Sequence, residues 1–168
     1  VITCAHVVET ALGASFQTLE QVSGSVLVAF PRIDQALAVQ ARACAWDRDQ
    51  DLAVLEMEVF APASAAPAPF ATYTDIAAHE LRVYGYPPSY QSGIWNLSPI
   101  LGPNGTGWGQ IDSVADSAYR IEHGFSGGPV WDADLRGVVG LVVAADRDPN
   151  KRAAYFIPTP YLVGIWPD

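Results

Sequence analysis

Apolar residues in this chain recur in short alternating or continuous runs broken by proline, glycine and acidic turns, the pattern of strands rather than of long helices. Strands are predicted over Val1–Cys4, Ser25–Phe30, Leu37–Trp46 and Leu52–Glu58 in the first part of the chain. In the second part they are predicted over Leu81–Tyr86, Gly93–Leu101, Gly109–Ser113, Ala118–Glu122, Pro129–Trp131, Gly137–Ala145 and Ala154–Ile157. Pro31, Asp47-Arg48-Asp49, Pro87-Pro88 and Gly102-Pro103-Asn104-Gly105 supply the intervening turns. Two helical segments stand out: a turn or two from Ala5 to Leu12, ended by Gly13, and a closing helix over Pro160–Trp166, with proline tolerated in its first turn.

Residues 59–71 carry three prolines and cannot hold a helix, which makes this stretch the natural boundary between two halves. The organisation expected is residues 1–58, a connection over 59–79, and a second half over 80–168. No internal sequence repeat is visible.

Composition narrows the function. Half of the 168 residues are hydrophobic, enough for a sizeable core without staples, and 13 prolines with 14 glycines fit many turns. The formal net charge is −9 with no basic run, which argues against a nucleic-acid partner, because phosphate contacts need clustered Lys and Arg. No apolar stretch approaches the roughly 18 residues of a membrane span. The two cysteines, Cys4 and Cys44, are too few for a disulfide framework and read as buried reduced thiols, so a reducing, cytoplasmic setting is expected. The three histidines lack metal-ligand spacing with the cysteines, and neither metal nor cofactor is expected.

The chemistry centres on Gly124-Phe125-Ser126-Gly127-Gly128-Pro129. A serine between glycines suits a nucleophile, since small neighbours admit a substrate carbonyl close to the backbone and permit dihedrals that aim successive N–H groups at one point. A serine hydroxyl also needs a base. His6, His79 and His123 all precede Ser126, which rules out the Ser–acid–His order of the α/β-hydrolases. The order Asp51, His79, Ser126 would require a large parallel α/β domain that the strand pattern does not support. What remains is His6, Asp51, Ser126.

Three segments carry a family resemblance in that order. Val1-Ile2-Thr3-Cys4-Ala5-His6-Val7-Val8 resembles the histidine segment of trypsin-like serine proteases, Asp51-Leu52-Ala53-Val54-Leu55 their aspartate segment, and Gly124–Val130 their nucleophile loop; Gly137–Val142 resembles the strand that follows. The matches span nearly the whole chain and are closest in character to bacterial trypsin-like and HtrA-like peptidases. The resemblance implies an all-β fold of two six-stranded antiparallel Greek-key barrels with a short C-terminal helix. Two strands of the first barrel normally precede the histidine segment, so the first barrel is expected to be incomplete here and the chain to be a domain of a longer bacterial protein.

The resemblance also assigns roles. His6 is the expected general base, Asp51 its orienting acid in preference to Asp47 and Asp49, and Ser126 the nucleophile, with the N–H groups of Gly124 and Ser126 as oxyanion hole. The pocket for the residue before the cut is expected from Arg120, His123, Val143, Ala144, Ala145 and Ala154; Arg120 at its floor would favour an acidic side chain, while Val143 and the alanines would make an apolar slot. Phe125 stands where digestive trypsins keep an aspartate, so activation by a newly cut N-terminus is not available to this chain. Val143 occupies a position at which many relatives support the catalytic aspartate with a serine. The expected function is a serine endopeptidase acting on protein or peptide substrates through an acyl-enzyme. The alternatives are a catalytically silent binding or regulatory domain of the same fold, and an esterase using the same three residues.

Overall fold

The computed structural model describes residues 1–76, 79–112, 119–145 and 152–166, with only the backbone at 144–145. Two compact units divide the chain: Val1–Pro67 with Gly164–Asp168, and Ala68–Val163.

The first unit is a four-stranded antiparallel sheet with a helix. Strands β1 (Ile2–Cys4), β2 (Val26–Ala29), β3 (Ala38–Asp47) and β4 (Leu52–Met57) lie in the order β1-β4-β3-β2. Helix α1 (Ala5–Leu12) follows β1 directly. Its apolar stripe, Val8 and Leu12, packs with Ala41, Ala53, Leu55, Val26, Val28 and Trp46 to make the core of this unit. Gly13 ends the helix in the left-handed region, at φ 69°, and returns its N–H to the Glu9 carbonyl. The start is different, because Cys4 offers no side-chain cap. The missing acceptors come from Asp51 on the β3–β4 turn: its carbonyl takes the Ala5 N–H at 3.0 Å and its carboxylate the His6 N–H at 2.9 Å.

The second unit is a closed antiparallel barrel. Strands β5 (Glu80–Gly85), β6 (Ile94–Pro103), β7 (Gly109–Asp112), β8 (Pro129–Asp132), β9 (Gly137–Ala145) and β10 (Ala153–Pro158) run in the cyclic order β10-β7-β6-β5-β8-β9, and helix α2 (Thr159–Ile165) follows β10. Leu81, Val83, Ile111, Ile121, Phe125, Val130, Val139, Val142 and Phe156 fill it. Phe156 is accommodated by glycine on both neighbouring strands, since a Cβ at Gly109 or Gly140 would lie 2.2 Å from its ring.

The mostly-β architecture fits the expected two-barrel fold, with one barrel closed, the other present as a four-stranded sheet, and a short C-terminal helix. One predicted strand is corrected. Over Ala118–Glu122, residues 119–122 form a loop, and Ala118 lies outside the described residues. The Tyr119 carbonyl is taken by the Asn96 side chain and the Glu122 carbonyl by the Phe125 N–H, so these groups are occupied without a neighbouring strand. Among the described residues no helix is long and apolar enough to cross a membrane.

Candidate active site

In the first unit the fold joins His6 to Asp51 across 45 residues of sequence. The two oxygens of Asp51 divide the work: Oδ1 accepts the His6 backbone N–H at 2.9 Å, and Oδ2 meets His6 Nδ1 at 2.6 Å. The ring is thereby held at both ends, by its own backbone and by its Nδ1. With Nδ1–H donated to the carboxylate, Nε2 keeps the lone pair a general base requires. The imidazole side chain is 37% exposed and the Asp51 side chain 14%. Asp51 itself adopts φ 57°, a left-handed conformation that aspartate tolerates better than most residues. The rival acids are otherwise engaged or exposed: Asp47 accepts the Gln50 N–H in the turn, and Asp49 faces solvent. Cys4 is buried beside this pair, and atoms of Cys4, His6 and Asp51 able to bind a metal lie within 4.8 Å of one another. Cys4 and Cys44 are both free thiols.

In the second unit Gly124 and Ser126 stand on one tight loop, ahead of β8. Its anchor is Phe125, wholly buried in the barrel and packed against Gly85, where a Cβ would fall 2.5 Å from the ring. Gly124 has φ 101° and Gly127 φ 79°, both conformations that favour glycine. A Cβ at Gly124 would lie 2.5 Å from the Tyr86 carbonyl oxygen and 2.6 Å from Pro87 Cα, so residue type is restricted by space as well as by backbone. Four bonds stitch the loop: Tyr86 N–H to Gly124 carbonyl at 2.8 Å, Gly128 N–H to Phe125 carbonyl at 2.9 Å, Gly127 N–H to Val142 carbonyl at 2.8 Å, and Val142 N–H to Gly128 carbonyl at 2.9 Å. Among the described residues, the N–H groups of Gly124 and Ser126 have no hydrogen-bond partner. Ser126 Oγ lies 3.5 Å from the Val143 carbonyl oxygen, a contact at the outer limit of hydrogen bonding.

The expected pocket residues spread over the same unit. Arg120 is half-buried and His123 exposed on the segment leading to the serine; Val143 and Ala154 are buried on β9 and β10. Ala144 and Ala145 lie on β9 opposite Tyr155 and Ala154, and their side chains fall outside the described residues.

Sequence reasoning missed a second imidazole–carboxylate pair. His79 Nδ1 meets Asp132 Oδ2 at 2.7 Å, while Asp132 Oδ1 accepts the N–H groups of Asp134 and Leu135 in the β8–β9 turn. The hydrogen bond to Asp132 raises the imidazole above its ordinary pKa of 6.5 against an opposing loss of hydration, and the charges of Asp132, Asp134 and Asp75 add to the rise. Atoms of His79, Asp132 and Asp134 lie within 4.8 Å of one another, but both Asp132 oxygens are already hydrogen-bonded within the protein. No local motif announces a pair separated by 53 residues. A chain of hydrogen bonds from buried Ser98 through buried Asn96 to the Tyr119 carbonyl was likewise invisible, because polar residues inside a strand carry no signal of where they point.

Comparisons with known proteins bear on the family and the fold. A family model described as a trypsin-like peptidase domain matches residues 1–141. Among solved structures, the serine endoprotease from Yersinia pestis superposes with a TM-score of 0.71 at 18% identity, over 97% of this chain and 50% of that one. The Rv3671c protease from M. tuberculosis in its active form gives 0.70 at 21% identity over 98% and 66%, and a serine-to-alanine mutant of it in an inactive form gives 0.69 at 21% identity over 98% and 73%. A search of curated proteins finds no significant match. This chain spans half the length of the Yersinia protein. With the family model covering most of the sequence, including all three motif segments, the chain belongs to the trypsin-like peptidase family.

Proposed function

We propose that the protein is a serine endopeptidase in which His6, Asp51 and Ser126 act as one catalytic triad, and that it works as a module of a larger bacterial protein. His6 Nε2 removes the Ser126 Oγ proton as Oγ attacks the scissile carbonyl. The oxyanion that forms is received by the N–H groups of Gly124 and Ser126. Collapse of this intermediate expels the amine, which takes the proton from His6, and leaves an acyl-serine. Water, deprotonated by His6, then releases the acid and restores the serine. Asp51 fixes the tautomer of His6 and stabilises the imidazolium between these steps.

The observation that carries this reading is the two-point hold of Asp51 on His6, with Oδ2 at 2.6 Å from Nδ1 and Oδ1 on the backbone N–H. It is supported by the Gly124 conformation and by the N–H groups of Gly124 and Ser126, which have no partner among the described residues. The position of Val143 where relatives carry a supporting serine is met by that same backbone N–H, which gives Asp51 a donor from within its own unit. Arg120, His123, Val143, Ala144, Ala145 and Ala154 line the proposed pocket for the residue before the cut. A fluorophosphonate probe tests the proposal: covalent labelling that disappears in Ser126→Ala is expected, together with cleavage of a denatured protein such as casein. An unlabelled wild type would instead indicate a silent domain, and ester turnover without peptide cleavage an esterase.

A further inference from the structure

Among the described strands of the closed barrel three polar side chains are buried: Asp132 on β8, which is engaged by His79 and the β8–β9 turn, and Asn96 and Ser98 on β6, with 1% and 0% exposure. Two apolar side chains would fill that space without the cost of desolvating an amide and a hydroxyl. What the polar pair adds is direction. Ser98 Oγ donates to Asn96 Oδ1 at 2.5 Å, which fixes the amide so that Nδ2 faces outward along the segment ahead of the serine. Nδ2 donates to the Tyr119 carbonyl at 2.6 Å.

Tyr119 is held by its side chain as well. Its hydroxyl donates to Glu122, its ring meets Tyr90 edge-on at 4.9 Å, and it stacks on Phe125 at 6.2 Å. Phe125 precedes Ser126, and Arg120 follows Tyr119. One amide thus ties the barrel interior to a loop that has no strand ladder of its own over 119–122.

We infer that Asn96, oriented by Ser98, is a positioning residue that sets the segment Tyr119–Gly124 and so governs which side chain is accepted before the cut. The inference rests on the peptidase reading. Asn96 touches no substrate; it acts through the Tyr119 carbonyl on Arg120 and the backbone beside it.

The test uses the full chain, a fluorophosphonate probe, and an internally quenched peptide library varied at the residue before the cut. In Asn96→Leu the bond from Asn96 Nδ2 to the Tyr119 carbonyl is lost. The ratio of kcat/KM between preferred and disfavoured peptides is expected to fall about tenfold, while the labelling rate of Ser126 stays within about threefold of wild type. Asn96→Asp adds a readout that a purely structural role would not produce. A protonated carboxyl can still donate to the Tyr119 carbonyl and an ionised one repels it, so selectivity should be near wild type at low pH and decay as pH rises, whereas the Leu variant is defective throughout. Ser98→Ala, which removes the hydroxyl that orients Asn96 Oδ1, should show a smaller loss of selectivity and serves if Asn96→Leu does not fold.

Unchanged selectivity in the folded variants overturns the inference. So does loss of labelling and of all peptide cleavage in equal proportion, which is general damage to the fold. A wild type that neither labels nor cleaves overturns the peptidase reading itself and is told apart from both, because it needs no variant.

Discussion

His6 and His79 each present Nδ1 to a carboxylate, at 2.6 and 2.7 Å, but the carboxylates differ in what holds them. Asp51 sits on a left-handed turn and takes its second bond from the backbone of the histidine it orients. Asp132 has no exposure at all, and its second oxygen is committed to two N–H groups of the β8–β9 turn. The first pair leaves a partly exposed imidazole beside a fixed acid, which suits the proposed general base. The second pins the segment entering β5 to a turn, an arrangement for stability. The pKa of His79 is raised on folding above 6.5, so the protonated form is the one the native state favours. Its contribution to stability is then complete below pH 6.5 and is lost as pH rises through the higher folded value. Urea unfolding at about pH 6 and about pH 9 should show His79→Gln clearly less stable than wild type at the lower pH and closer to it at the higher. A difference that grew with pH would contradict this assignment.

At the scale of elements, the serine loop is built from the inside outward. Phe125 inserts into the barrel, Gly85 makes room for its ring, and the flanking glycines bend the chain so that Ser126 is left partly exposed between them. Gly124 is the least replaceable of these residues. Alanine there meets both a φ of 101° and backbone atoms at 2.5–2.6 Å that cannot swing aside. Gly124→Ala is expected to destabilise the protein by about 1–3 kcal/mol in urea titration and, on the proposed mechanism, to slow fluorophosphonate labelling about a hundredfold through displacement of the proposed oxyanion donors. The loop over 119–122 belongs to the same element-level logic. Read by its residues it looks like a strand, but its Tyr119 and Glu122 carbonyls are taken by Asn96 and by Phe125, and residues 119–122 form no strand.

For the molecule as a whole, the stretch after β4 carries the most exposed large apolar residue among those described, Phe60. Phe60 is 99% exposed and Val59 61% exposed, outside any strand. Limited digestion with chymotrypsin should therefore cut first after Phe60, as mass spectrometry would show, ahead of sites at Tyr84, Trp95 or Trp131, which lie on paired strands. The sequence by itself determined the mostly-β class, the order of nearly all strands, the stop at Gly13 and the three motif segments. Those properties are local: side-chain alternation, glycine and proline chemistry, and contiguous residue runs act over a few positions. Only the tertiary structure decided that Asp51 caps the helix carrying His6, that Asp132 claims His79, and that Asn96 reaches the Tyr119 carbonyl. Each of those is a directional bond between residues far apart in the chain, and its geometry exists only once the strands between them have paired.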